Sequence, residues 1–134
     1  MIRTARCVCG ALSVRTEGEP EAVVACHCTE CQRRTGSVFG VGAYFAHGQV
    51  AISGAASSFL REVEGRPFRT FFCPTCGTSV YWETAKHPGG VGVAVGAFAD
   101  PCFPPPSRSV WEQSAHAWVA IAPAAQHLPR GRGG

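Results

Sequence analysis

Residues 68–83 read FRTFFCPTCGTSVYWE, two runs rich in aromatic and β-branched residues on either side of a Cys-Pro-Thr-Cys-Gly turn. Runs of that composition suit a pleated, half-buried surface, and the Pro and Gly between them favour a tight reversal. The stretch therefore predicts a β-hairpin, Phe68 to Cys73 and Thr78 to Glu83, with two thiols at its tip. Such a pair suits a tetrahedral metal, because one turn presents two sulfurs to one ion. Gly77, directly after the second cysteine, lets the backbone bend back around it.

Outward from this hairpin the same short-strand pattern recurs. Ala11–Thr16, Ala22–Cys26, Val38–Ala46, Gln49–Ser53, Ser58–Val63, Val91–Phe98 and Ser107–Trp111 read as strands, with turn residues at His47-Gly48 and Gly54. Only Thr29–Arg34, ending at Gly36, reads as a helical turn. Sixteen Gly and ten Pro favour such punctuation over long helices. The expectation is an all-β, mainly antiparallel fold with at most one or two short helices, its sheets packed by Phe39, Tyr44, Phe45, Phe71, Phe72, Tyr81, Trp82 and Phe98. A length of 134 residues suits one domain, taken as residues 1–121, with a loose tail over 122–134.

Composition narrows the function. The chain is 46% apolar and 16% charged, as a globular domain is, and its net charge is +3. Arg130 and Arg132 of the Gly-rich tail supply most of that excess, so the rest is close to neutral and no nucleic-acid partner is expected. No apolar run is long enough for a signal peptide or a membrane span. The expected location is the cytoplasm, where thiols stay reduced and clustered cysteines hold metal more often than each other.

Eight cysteines are spaced as Cys7-x-Cys9, Cys26-x-Cys28-x-x-Cys31, Cys73-x-x-Cys76 and a single Cys102. A disulfide framework is disfavoured by the compartment and by the strain of closing a Cys-x-Cys ring. Cys7, Cys9, Cys73 and Cys76 form two Gly-followed pairs, which together make one closed four-sulfur zinc site stapling distant strands. Cys26, Cys28 and Cys31 supply three sulfurs and leave a fourth corner to solvent or substrate, with Cys102 and a distant histidine such as His116 as rivals. His27 points away from its neighbours in an extended turn, and His47, His87 and His127 read as surface or turn residues. Two zinc ions per chain are expected. Three thiolates make zinc a weak activator of water, whereas a thiol, with a pKa near about 8.5 against about 15.7, is a suitable fourth ligand.

The segments CVCGALSV, CHCTECQRRTGSVFG, FCPTCGTSVYW, VGAFADP and VWEQSAHAW run in order from Cys7 to Trp118. In these the chain resembles the glutathione-dependent formaldehyde-activating enzyme family, also called centromere-protein-V-like, which has an Mss4-like fold. The resemblance implies a structural zinc at Cys7, Cys9, Cys73 and Cys76 and a catalytic zinc at Cys26, Cys28 and Cys31. It implies a carbon–sulfur lyase acting on adducts of glutathione, or a similar small thiol, with formaldehyde or another small aldehyde. Arg33 and Arg34 are candidates to pair with the thiol's carboxylates, and Thr35 and Ser37 to hydrogen-bond an alkoxide. The alternative is a non-catalytic module, stabilised by zinc, that binds a thiol or a protein. The oligomeric state stays open.

Overall fold

The computed structural model describes residues 1–131. Its strands are β1 (Ile2–Arg6), β2 (Ser13–Glu17), β3 (Ala22–Cys26), β4 (Gly40–Ala46), β5 (Val50–Ser53), β6 (Ser57–Val63), β7 (Arg66–Phe72), β8 (Ser79–Thr84), β9 (Gly90–Ala94), β10 (Arg108–Val110) and β11 (Gln126–His127). One α-helix, α1 (Thr29–Thr35), follows β3, and three 3-10 turns complete the regular structure. The fold is all-β.

Two sheets form, one of order β1-β2-β5 and one of order β11-β10-β3-β4-β9-β8-β7-β6. Pairing is antiparallel except at β10, which lies parallel to both β3 and β11. The predicted hairpin is β7–β8, paired from Phe68↔Thr84 to Phe72↔Ser79, with a bulge at Phe71/Phe72. The core fills the space between the sheets with Leu12, Val14, Val23, Phe45, Val80, Val91, Val93 and Phe98. Of the expected core aromatics, Phe45, Tyr81, Trp82 and Phe98 are buried, whereas Phe39, Tyr44, Phe71 and Phe72 are half-buried.

One strand was not expected, and two expectations are corrected. β1 has no apolar alternation, because only its Ala5 is buried; pairing with β2 along its whole length holds it instead. The strand expected over Val91–Phe98 stops at Ala94 and turns through Val95–Phe98. That turn delivers Phe98 against Phe45 and Phe103, with ring centroids 6.5 and 4.7 Å away. The segment after residue 121 is not loose where it is described. Ala124 is buried, β11 pairs with β10, and Leu128 N–H donates to Ser109 O at 2.9 Å. The expectation for residues 132–134 lies outside the described residues.

Candidate metal centres and the cleft between them

The turn after β1 and the turn at the tip of β7–β8 meet. Cys7 Sγ lies 3.6 Å from Cys9 Sγ, which lies 3.6 Å from Cys73 Sγ. Cys76 completes a group whose four sulfurs are all within 4.8 Å of one another. Zinc–sulfur bonds of about 2.3 Å in a tetrahedron place sulfurs about 3.8 Å apart, so the four thiols are spaced to hold a metal such as zinc and not to form disulfides. Leu12 N–H donates to Cys7 Sγ and Thr75 N–H to Cys73 Sγ, as thiolates require. The Thr78 hydroxyl beside Cys76, with nearby backbone N–H groups, pulls that thiol down to about 5. Gly10 and Gly77 stand at φ 83° and 79°, the left-handed conformation both knuckles need. This cluster joins the smaller sheet to the larger.

Cys26, Cys28 and Cys31 form the second group, again with sulfurs within 4.8 Å. Cys26 ends β3, Cys28 caps α1 by accepting from Cys31 N–H at 3.3 Å, and Cys31 is buried in the first turn. Hydrogen bonds among the three thiols hold Cys28 far below the ordinary thiol range and push Cys26 far above it. Three thiolates cannot share so small a space without a cation, which is the condition a metal meets. No fourth Cys, His, Asp or Glu among the described residues joins them. Cys102, a rival for the fourth corner, is an exposed thiol outside the cluster.

His27 faces away, as its place between two ligands predicts. It is buried, with Nε2 2.9 Å from Ser109 Oγ. Its carbonyl accepts from Gln32 Nε2 at 2.9 Å, and the same amide nitrogen reaches Ser114 O at 3.2 Å. His116 bonds Gln32 Oε1 at 3.2 Å and so braces this loop from outside without joining the cluster.

The three sulfurs open into a cleft of about 790 Å3. Its walls carry Arg34 and Arg61, stacked on the Trp82 and Phe68 rings at 4.5 and 4.3 Å, and the hydroxyl of Tyr44. That hydroxyl accepts from Trp82 Nε1 at 3.2 Å, and desolvation raises its pKa, so it stays protonated. Trp82 lies against two strand glycines: a Cβ on Gly42 would come 2.5 Å from the indole, and one on Gly92 2.2 Å. Sequence reasoning read Trp82 and Tyr44 as core filler and did not see this slot, although glycine inside a strand signals close approach.

Of the four expected helper residues, only Arg34 lines this cleft. Arg33 is exposed and pairs with Glu30. The Thr35 hydroxyl donates to Cys31 O at 2.8 Å and accepts from Ser37 N–H at 3.0 Å. Thr35 and Ser37 thus close the helix end rather than face the sulfurs.

The profile of the family described as glutathione-dependent formaldehyde-activating enzyme matches residues 2–120. A crystal structure of a Rhodobacter sphaeroides protein aligns with a TM-score of 0.57 and 22% identity, covering 70% of this chain and 85% of that one, a likeness of fold alone. Comparison with curated proteins finds no match.

Proposed function

The chain belongs to the glutathione-dependent formaldehyde-activating enzyme family, and from that premise we propose that it makes or breaks the adduct of a small anionic thiol with a small aldehyde. The observation that carries this reading is a three-cysteine cluster with no fourth protein ligand, opening into a cleft that bears two guanidinium groups. Cys7, Cys9, Cys73 and Cys76 would hold a structural zinc, and Cys26, Cys28 and Cys31 a second. Zinc bound in the second site would supply a borderline-soft Lewis acid suited to a thiolate.

The remaining chemistry falls to the chain. Arg34 and Arg61 are aimed by their aromatic partners, so carboxylates of a glutathione-like thiol meet pre-oriented donors. In the breaking direction the C–S bond opens, its electron pair stays on sulfur, and the hydroxyl proton passes to solvent water as the aldehyde C=O forms. Tyr44, neutral and in the cleft wall, is suited to donate a hydrogen bond to that oxygen. The cysteines must stay reduced, which fits the cytoplasm.

The test is the rate at which S-hydroxymethylglutathione equilibrates with glutathione and formaldehyde, followed by exchange NMR. The wild type should exceed the spontaneous rate, and Cys28→Ser should not. Thiol binding without acceleration would leave a thiol-binding module.

A further inference from the structure

Residues 126–131 link the two sides of the cleft. On one side, Leu128 O accepts from Glu112 N–H at 3.0 Å, Pro129 O from Gln113 N–H at 3.2 Å and Arg130 O from Trp111 N–H at 3.3 Å. The Arg130 guanidinium covers the Trp111 ring at 5.2 Å. On the other side stands the Glu64–Lys86 ion pair at 2.7 Å, borne by the β6–β7 and β8–β9 turns. Gly131 reaches it: a Cβ there would lie 3.0 Å from Lys86 Nζ, 3.3 Å from Glu64 Oε1 and 3.3 Å from Trp111 Nε1. Trp111, Glu64, Lys86 and Gly131 all line the same cleft as the three cysteines. These tail residues also lie beyond residue 120, outside the part of the chain that defines the family.

We infer that Arg130 and Gly131 form a bar across the cleft that admits small thiols and turns bulky ones away, a specificity-determining element of this chain's own extension. The inference rests on the thiol-site reading above. At about 790 Å3 the cleft body is roomy for a small thiol, so its limit on bulk is set where the walls are bridged. Residues 126–131 are held by backbone hydrogen bonds to Ser107, Ser109 and residues 111–113, by the His127–Glu112 pair and by one ring contact, with no buried apolar anchor beyond Ala124 among the described tail residues, and so detach without opening the core.

Lys86 is the only lysine, which gives a reporter independent of thiol chemistry. In the zinc-loaded protein, Leu128→Pro removes the N–H that holds β11 to Ser109, and Arg130→Ala removes the Trp111 contact. Each variant is checked for unchanged zinc content, and Arg130→Ala serves alone if Leu128→Pro does not fold. Acylation of Lys86 by a bulky amine-reactive ester, read by mass spectrometry, should speed up several-fold over wild type. In cobalt-substituted protein, a coenzyme-A-sized thiol should bind more tightly to the variants while 2-mercaptoethanol binds equally to all. Unchanged Lys86 rates overturn the bar. So do unchanged bulky-thiol affinities where 2-mercaptoethanol binds. If 2-mercaptoethanol leaves every spectrum unaltered, the thiol-site reading fails, and the lysine rate alone decides the bar.

Discussion

Gly42 and Gly92 hold the cleft open at the cost of two β-branched positions. With no Cβ at either glycine, the Trp82 indole lies against both strands and presents its face to Arg34. Gly42→Ala sets a methyl group against a buried ring that has nowhere to move. It should lower stability by about 1–3 kcal/mol in a denaturant titration, with a change in Trp82 fluorescence in the native baseline. Arg34 is next in this chain of dependence. Arg34→Met keeps much of the packing and loses the charge, so it should weaken glutathione about 10–100-fold, the worth of one or two charged hydrogen bonds. Binding of 2-mercaptoethanol, which has no carboxylate, should not change. Equal losses for both thiols would mean that Arg34 serves the metal cluster rather than the ligand's carboxylates.

Among the elements, the two cysteine groups do different structural work. Cys73 sits in the knuckle that ties the sheets together, whereas Cys28 serves one turn at the start of α1. Cys73→Ser should therefore lose most of its folded yield and melt well below wild type. Cys28→Ser should stay folded with one zinc fewer, and thermal melts of the two variants check the contrast. The β11 segment is held by a titratable pair, His127 Nδ1 and Glu112 Oε2 at 2.8 Å. The hydrogen bond to Glu112 raises His127 above 6.5, and that to His127 lowers Glu112 below 4.5. The His127 contribution is complete below pH 6.5 and lost as pH rises through its raised value. The Glu112 contribution is present above pH 4.5 and lost as pH falls through its lowered value. The tail is thus held best between those limits. An NMR titration of the His127 ring should give a midpoint above 6.5 that returns to the ordinary value in Glu112→Gln.

For the whole molecule, the cysteine spacing and the hairpin at residues 68–83 were enough to read an all-β fold, the membership of both clusters and the outward turn of His27. Metal-ligand spacing is local, so one turn of chain carries the information. The sheet partners of β1 and β11 were not legible, because those strands are held by backbone pairing with remote segments rather than by their own apolar pattern. The same limit hid the cleft. Arg61, Lys86 and Gly131 come together only when β6–β7, the β8–β9 turn and the tail converge, and no spacing rule spans those distances. Arg33 and Arg34 are adjacent in sequence, but helix geometry sends one to solvent and the other onto Trp82.

The central claim is one closed metal site and one with a free corner for a thiol. Native mass spectrometry of protein purified without chelator, with and without excess glutathione, tests it most directly. The wild type should carry two zinc ions and add one glutathione, and Cys28→Ser should carry one zinc and add none. Two zinc ions with no glutathione adduct at saturating ligand, or an adduct that survives in Cys28→Ser, would contradict it.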